Sequence, residues 1–352
     1  MAYGTLSTLD LLSSTQQSVV EFGVQRAWDS VNMTLSAYNR MVQQLSGELW
    51  ERTTDTRRSY GAGSLKVMEE LDQFGAPGAQ KIAVGQTLDF PLRRYASAIQ
   101  FTRQAFEYMT TQQLAGEVNA MMAADQANLI RAVKQALYVS TNTTFVDYLG
   151  PQAGVSLAIK ALVNNDGVVP PVGPNGEVFL GTHTHYTAEA SLSASGLTSA
   201  ITTVQEHYNS GTPVTVISQT NEAAVRALTG FVAIIDARIE RGGGATTDVG
   251  RGALNMANLY DRHIGFFGAA EVWVKPWAIA SYALTYMRGI PPVAMRVPTF
   301  AGGGELRLVN ENDGHPLFAR AYERQFGMGV WQRTAAGVHY FAGGAYVNPT
   351  VT

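Results

Sequence analysis

The sequence predicts an α+β protein, and three observations support that class. Apolar residues recur at helical spacing over residues 14–52 and again over 102–140. After residue 190, short strand patterns follow one another as local pairs and not as regular β-α-β units. The last stretch, 326–352, carries a single formal charge, at Arg333, and is rich in large apolar side chains. An ordinary chain end is polar and frayed, so we expect this one to pack against the rest of the protein.

The composition indicates a globular chain with few charges. Its 352 residues suffice for one large or two ordinary domains, and 46% hydrophobic residues suffice for a sizeable core. Charged residues make up only 15%, against about 25% in typical soluble domains. Apolar and uncharged polar surface is what obligate interfaces bury. We therefore expect neighbouring molecules to cover much of this protein.

Several classes of function are disfavoured by the same composition. The chain has no cysteine, which excludes disulfides, thiolate catalysis, zinc ribbons and iron–sulfur clusters. A net charge of −3 does not suggest wrapping of nucleic acid or docking on acidic lipid, and the sequence has no basic stripe interleaved with aromatic residues. The sequence has neither a signal-peptide start nor a run of about 18 apolar residues. We expect a protein made in the cytoplasm, with no membrane partner and no cofactor.

The first element is a helical arm over residues 14–52. Its polar face is rich in glutamine and asparagine and poor in charge. An isolated helix of this kind is marginal in water, so the arm must lie on another surface. The apolar positions that define it are Val20, Val24, Val31, Leu35, Tyr38, Val42, Leu45 and Leu49.

Residues 59–101 form a long excursion with a hairpin-like pattern. SLKVMEELDQF leads out, GAPG marks the turn, and AQKIAVGQTLDFPLRRYASAIQF leads back. On the return limb, Tyr95, Ile99 and Phe101 share one face of a predicted strand. The excursion has too few bulky apolar residues for a core of its own, and a long hairpin without a core is unstable alone. It must cover its own domain or reach a neighbour.

The strongest helix prediction covers 102–140, a rod of roughly 50 Å at 1.5 Å per residue. Gly116 weakens its middle slightly. Its apolar stripe, whose methionines we interpret as core residues, consists of Phe106, Met109, Leu114, Val118, Met121, Met122, Leu129, Val133 and Leu137.

The remaining elements alternate between helix and strand. LSASGLTSAITTVQEHY reads as a helix with Ser195 as its N-cap, and TPVTVIS reads as a short buried strand. NEAAVRALTGFVAIIDARIE predicts a second helix, and a flexible glycine loop follows it. IGFFGAAEVWVKPWA and YALTYMRG look like paired strands, and β structure continues to the end of the chain.

Candidate chemical sites are few. His183 and His185 would share one face of a strand, as metal ligands do in some sites. No third ligand stands at a recognisable spacing, so exposed loop histidines are the favoured interpretation and no metal is expected. The glycine runs at 242–244 and 302–304 lack the strand, helix and Lys-Ser/Thr context of a phosphate loop, and they read as turns. No arrangement of residues predicts catalysis.

Charged clusters at the excursion suggest contacts between subunits. Acidic residues lie on its outgoing limb and basic doublets lie at its base, so the acidic limb of one subunit can meet the arginines of the next. A solvated patch is the simpler alternative. The interface candidates are Arg57, Arg58, Lys66, Glu69, Glu70, Asp72, Phe74, Lys81, Arg93 and Arg94.

The order of these parts resembles the major capsid proteins of tailed bacteriophages, which have the Hong Kong 97-type fold. The resemblance covers nearly the whole chain and includes the phrases IGFFGAAEVWVKPWA and ERQFGMGVWQRT. It implies the domain bounds: an N-terminal arm at 1–58, an E-loop hairpin at 59–101, a P-domain at 102–190 with a spine helix at 103–140, an A-domain at 191–298, and P-domain closing strands at 299–352.

The resemblance also implies function. Hexamers and pentamers of one chain would close into an icosahedral shell around double-stranded DNA, without sequence readout and without enzymatic activity. Portal and scaffolding proteins, and in some relatives a decoration protein, would be partners of this virion protein, which would assemble in the host cytoplasm. We expect no N-terminal cleavage. We also expect no isopeptide cross-link between Lys66 or Lys81 and Asn348, because no glutamate stands close to Asn348.

Two other functions remain open at this point. An encapsulin-like nanocompartment of the same fold would enclose an enzyme instead of DNA, and genome neighbours would distinguish it. A soluble enzyme with a long interdomain helix is the third alternative, and a tight monomer or dimer in solution would favour it.

Overall fold

The structure is a computed structural model that describes residues 17–45, 48–60, 70–71, 73, 75–76, 86–149, 153–234, 262–312 and 317–351. Within these residues the α-helices are α1 (Val19–Phe22), α2 (Val24–Leu45), α3 (Arg103–Tyr108), α4 (Thr111–Tyr138), α5 (Ala194–Gln205) and α6 (Glu222–Arg226). The strands in the same residues are β1 (Trp50–Thr53), β2 (Arg57–Tyr60), β3 (Gln86–Asp89), β4 (Arg93–Thr102), β5 (Thr143–Val146), β6 (Ser156–Ile159), β7 (Tyr186–Ala188), β8 (Pro213–Ile217), β9 (Phe231–Ala233), β10 (Arg262–Phe267), β11 (Ala270–Val274), β12 (Tyr282–Met287), β13 (Val293–Arg296), β14 (Arg307–Asn312), β15 (Leu317–Val330) and β16 (Ala336–Tyr340).

The N-terminal arm is helical, but it is shorter than predicted. Helix α2 buries Val31, Leu35, Tyr38 and Val42 against the core, as the apolar spacing indicates. The predicted helix to residue 52 is wrong at its end, because residues 50–53 form β1 and pair in parallel with β13. Pairing with a distant strand outweighs the local helical pattern there.

The predicted long helix is two helices, α3 and α4. Thr110 interrupts it: the side chain of Thr110 accepts a hydrogen bond from the Gln113 amide, and Gln113 caps the Thr110 amide in return. Helix α4 runs for 28 residues, about 42 Å. Its buried face follows the predicted stripe at Leu114, Val118, Met121, Leu129, Val133 and Leu137.

A five-stranded sheet surrounds the long strand β15. Its first ten residues pair with β4 on one side, Ala319–Glu323 pair with β14 on the other, and its last four residues pair with β13. The predicted return strand at Tyr95, Ile99 and Phe101 is therefore correct, and these are its more buried side chains. Its predicted partner is wrong, because β4 joins β15 and leaves only β2 and β3 as a described hairpin base.

A second, seven-stranded sheet has the order β7-β16-β12-β8-β11-β10-β9. Every residue of β8 and β12 is buried, which confirms TPVTVIS as an internal strand. The pattern YALTYMRG was expected to pair with the preceding hairpin, but β12 pairs with β8 and β16 instead. Helix α5 covers this sheet with Leu197, Ile201 and Val204, and Ser193, not Ser195, is its N-cap.

The helix predicted over 221–240 is wrong for most of the part that the structure describes, residues 221–234. Helix α6 is only five residues long, and Gly230, at φ 96°, precedes strand β9. The helix has already ended at Arg226, and the positive φ of Gly230, unfavourable for other residues, prevents the helix from resuming. Residues 235–240 of the prediction, and the glycine run at 242–244, lie outside the described residues.

The apolar end of the chain packs where the sequence requires. Strands β15 and β16 enter the two sheets, and Val330 and Val338 are in the main core. After β16, the ring of Tyr346 lies 4.9 Å from that of Tyr186, and its hydroxyl donates a 2.6 Å hydrogen bond to the Tyr138 carbonyl. The tail thus closes over the end of helix α4.

Candidate functional site

The base of the excursion is held by an ion pair between Arg57 and Asp89. The Arg57 guanidinium donates two hydrogen bonds to the carboxylate, one of them 2.9 Å from Nη2 to Oδ2. The same carboxylate accepts 2.9 Å from the Ala158 amide on β6. Burial by itself raises the pKa of Asp89, but the bonds from Arg57 and Ala158 outweigh it and leave that pKa below its ordinary value.

Arg58 anchors the other side of the same ribbon. Its guanidinium pairs with Glu51 and Asp55, the latter at 2.8 Å, and lies 4.8 Å from the centre of the Trp331 ring. The hydrogen bond from Arg58 is the main cause that lowers the pKa of Asp55. Both arginines of the first basic doublet thus have partners within their own chain.

The second basic doublet begins β4. The Arg93 guanidinium lies 4.4 Å from the centre of the Phe145 ring, a cation–π contact. Arg94 pairs with the buried carboxylate of Glu323 on β15, and its amide donates 3.1 Å to the Tyr148 hydroxyl. Both side chains remain largely exposed beyond these contacts.

The predicted interface candidates are thus only partly described. Arg57, Arg58, Arg93 and Arg94 lie at the base of the excursion and contact their own chain, and Glu70 is exposed. Their contacts to another subunit stay a prediction. Five candidates lie outside the described residues: Lys66, Glu69, Asp72, Phe74 and Lys81.

A basic groove of about 570 Å³ opens beside the second doublet. It runs between helix α4, strand β4, the β5–β6 hairpin and β15. Among the described residues that line it are four positively charged side chains, Arg93, Arg94, Arg131 and Lys160, and no acidic one. Arg94 pairs with Glu323 and Lys160 with Asp166, so the positive character of the groove comes mainly from Arg93 and Arg131. Its apolar floor includes Ala132, Met328 and Val330. The sequence signalled the doublet but not the groove.

Two glycines allow the returning chain to cross β15 at the edge of this groove. A Cβ at Gly327 would come within 2.1 Å of the Pro91 carbonyl oxygen, and one at Gly329 within 2.9 Å of the Phe90 ring. Arg296, on β13, fixes the same crossing by donating 2.9 Å to the Phe90 carbonyl and 2.7 Å to Asp147. Close backbone packing at this crossing therefore requires the two glycines of the FGMG segment, residues 326–329.

A buried polar network connects helix α2 of the N-terminal arm to helix α4. Arg324, 2% exposed, donates 2.9 Å to Asp125 on α4 and 3.0 Å to Asn39 on α2. The Tyr38 hydroxyl donates 2.8 Å to the other oxygen of Asp125. Burial, followed by the charge of Asp125, raises the pKa of Tyr38 well above its ordinary range. These partners are too distant in sequence for any local pattern to reveal them.

The two predicted histidines are not exposed loop residues, so that interpretation is wrong. His185 is 1% exposed and His183 is partly buried, and His207, after helix α5, lies against both. Burial lowers the pKa of all three imidazoles, to about 4 for His207. Sequence reasoning missed His207, because it stands 22 residues beyond His185 with a helix between them.

Comparison with solved structures identifies the fold. A chain of Mycobacterium phage Patience superimposes with a TM-score of 0.68 at 21% identity, over 100% of this chain and 96% of that chain. "Capsid of empty GTA particle computed with C5 symmetry" gives 0.48 at 12%, over 87% and 90%. "Capsid structure of the Cyanophage P-SCSP1u" gives 0.47 at 11%, over 85% and 88%. No protein-family model and no curated protein matches the chain.

The first of these likenesses covers the chain from end to end, and it confirms the predicted Hong Kong 97-type α+β fold. Among the residues that the structure describes, no helix has both the length and the apolarity required to cross a bilayer.

Proposed function

We propose that the chain is the major capsid protein of a tailed double-stranded DNA bacteriophage, a non-enzymatic building block of an icosahedral shell. The observation that carries this proposal is the likeness of the whole chain, at a TM-score of 0.68, to a phage protein. In this proposal, copies of the chain form hexamers and pentamers. The arm, E-loop, P-domain and A-domain keep the bounds expected from the sequence.

The exposed surface supports an assembly role. Strand β4 lies at the edge of its sheet, and seven of its ten residues are exposed. Large apolar side chains are also exposed, including Tyr108 at 78%, Val178 at 75% and Leu180 at 70%. Sheet edges and apolar surface of this kind invite pairing with another molecule. In a closed shell, neighbouring subunits would cover them.

The basic groove is the proposed receptor for the excursion of a neighbouring copy. The outgoing limb carries Glu69, Glu70 and Asp72, and the described lining of the groove presents Arg93 and Arg131 beside two basic residues that already have acidic partners. Opposite charges that become partly desolvated attract each other more strongly than in bulk water, and their arrangement fixes the register between partners. Contacts repeated at each subunit would add around the shell. Portal and scaffolding proteins would start and shape that assembly.

The test replaces residues 61–85 with an Asn-Gly turn. Tyr60 and Gln86 face each other across the β2–β3 ribbon, so a two-residue turn can close it without disturbing the fold. Light scattering and negative-stain electron microscopy then compare the variant with the unaltered chain. We expect closed shells from the unaltered chain and folded, unassembled subunits from the variant. Normal shells from the variant would refute the assignment of the excursion.

The contents of particles isolated from the native source separate this proposal from the encapsulin-like alternative. Nuclease-protected double-stranded DNA would support a virion. A single packaged enzyme, with no protected DNA, would support a nanocompartment and refute the viral function.

A further inference from the structure

Three histidines from two separate segments meet outside the groove. His183 and His185 precede strand β7 and lie two residues apart, so both can face the same side. His207 follows helix α5 and comes back over them. One ring nitrogen from each residue belongs to a set whose members all lie within 4.8 Å of one another.

The spacing of these nitrogens suits one metal ion. The Nε2 atom of His207 lies 3.0 Å from Nε2 of His185 and 3.3 Å from Nε2 of His183. Zinc bound tetrahedrally by imidazoles has Zn–N distances of about 2.0–2.1 Å, which places neighbouring nitrogens about 3.3 Å apart. These two spacings are close to that value. The spacing between His183 and His185 is within 4.8 Å, and rotation of the exposed-side ring of His183 would complete the set.

The orientation of His185 is fixed in the form that a metal ligand requires. Its Nδ1 lies 2.7 Å from the Ala336 carbonyl oxygen on β16. Because a carbonyl only accepts, Nδ1 carries the proton and Nε2 presents a lone pair to the other histidines. A hydrogen bond from the second ring nitrogen to a backbone carbonyl is typical of metal-bound histidine. The ring of Phe179 covers the cluster, 4.2 Å from His207 and 5.0 Å from His183.

A carboxylate oxygen supplies a fourth ligand position. Glu206 Oε1 lies 3.2 Å from Nε2 of His183 and 3.8 Å from Nε2 of His207. This oxygen is buried and forms no hydrogen bond within the described part of the chain. An unsatisfied buried acceptor is costly, and a bound cation would satisfy it.

We propose that His183, His185 and His207, together with Glu206, bind one zinc-like divalent transition-metal ion. Three imidazole nitrogens and one carboxylate oxygen form a ligand set of the borderline type that zinc accepts. With four protein ligands the site would be closed and structural, not catalytic. The ion would connect the segment before β7 to the end of helix α5 and, through Ala336, to β16. It would therefore stiffen one subunit without contacting the groove.

The test uses the full chain without a histidine tag, stripped with a chelator and dialysed. Zinc content is measured by equilibrium dialysis and elemental analysis, and cobalt is used as a spectroscopic probe of tetrahedral coordination. We expect one zinc ion per chain, a rise in the melting temperature on zinc addition, and no such rise with magnesium. The His183→Gln and His207→Gln variants should bind zinc more than about tenfold more weakly, since loss of an outer-shell contact alone costs 10–100-fold.

His263→Gln is the matched control, because His263 stacks on Trp273 in the other part of the sheet and should not affect zinc binding. Circular dichroism checks that each variant folds. If His207→Gln does not fold, the His183→Gln variant carries the test, because His183 lies nearer the surface than His185. Absence of stoichiometric zinc binding by the unaltered chain would overturn the proposal, as would equal binding by the His183 variant. Zinc binding to unassembled subunits is independent of shell formation, so its failure would leave the proposed function untouched.

Discussion

The two sheets of this protein differ in how much of their surface is buried within the same chain. Strands β8 and β12 lie inside the seven-stranded sheet and are buried throughout. Strand β4, at the edge of the other sheet, is mostly exposed, forms the return end of the excursion, and lines the groove with its first residues. The middle of the seven-stranded sheet is therefore covered within the chain, whereas the five-stranded sheet leaves an exposed edge strand, which we propose as a surface for a partner. The difference separates residues that fold the subunit from residues that would assemble it.

The largest effect is expected from reversing charge in the groove. Arg93→Glu with Arg131→Glu should abolish shell formation, because the acidic limb of a neighbour would then meet negative charge. Both side chains are exposed, so the melting temperature should change little. Electron microscopy and light scattering measure assembly. Arg103→Glu, an exposed arginine outside the groove lining, is the control and should still form shells.

A compensating change sharpens the same prediction. Glu69→Arg with Glu70→Arg, added to the groove variant, should restore assembly at least in part. Restored assembly would identify the acidic limb as the occupant. If the groove variant and the limb variant each fold but their combination does not assemble, that result would count against the pairing.

Removal of Arg324 should affect folding and not assembly alone. Arg324→Met leaves Asp125 buried and without its ion-pair partner, which typically costs about 3–5 kcal/mol. Arg103→Met breaks only an exposed pair with Glu107, and its effect should stay below about 1 kcal/mol. Urea unfolding of unassembled subunits measures both. Equal effects would mean that the Arg324 network does not hold the arm.

Gly→Ala substitutions at two positions should change the stability of the subunit in opposite directions. Gly327→Ala places a methyl group against the Pro91 carbonyl and should destabilise the subunit by about 1–3 kcal/mol. Gly116→Ala, on the exposed side of the second turn of α4 with nothing near its Cβ position, should stabilise it by about 0.5–1 kcal/mol. Thermal unfolding under identical conditions gives the two signs. A stabilising Gly327→Ala would show that the crossing is not tight.

The smallest effect concerns pH. The folded pKa of Asp89 is depressed, so its contribution to stability is complete above the unfolded value of about 4 and is lost as the pH falls through the folded value. Because Arg57 is half exposed, the contribution should be at most about 1 kcal/mol. The stability difference between the unaltered chain and Asp89→Asn should shrink between pH 6 and pH 3. A constant difference would contradict the assigned shift.

The sequence was informative where periodicity and composition act locally. The buried stripe of α4, the internal strand β8 and the packing of the apolar tail all follow from patterns within a few tens of residues. The end of α2, the partner of β4 and the strand at β1 do not, because each depends on pairing with residues more than 200 positions away. The third histidine was missed for the same reason: only the tertiary fold brings it to the other two.

The most direct test of the central claim is cryo-electron microscopy of assembled particles at a resolution that traces the chain. We expect the excursion of one subunit to lie in the basic groove of its neighbour, with Glu69 and Glu70 facing Arg93 and Arg131. Closed shells in which that groove is empty, or is filled by the excursion of the same subunit, would contradict it.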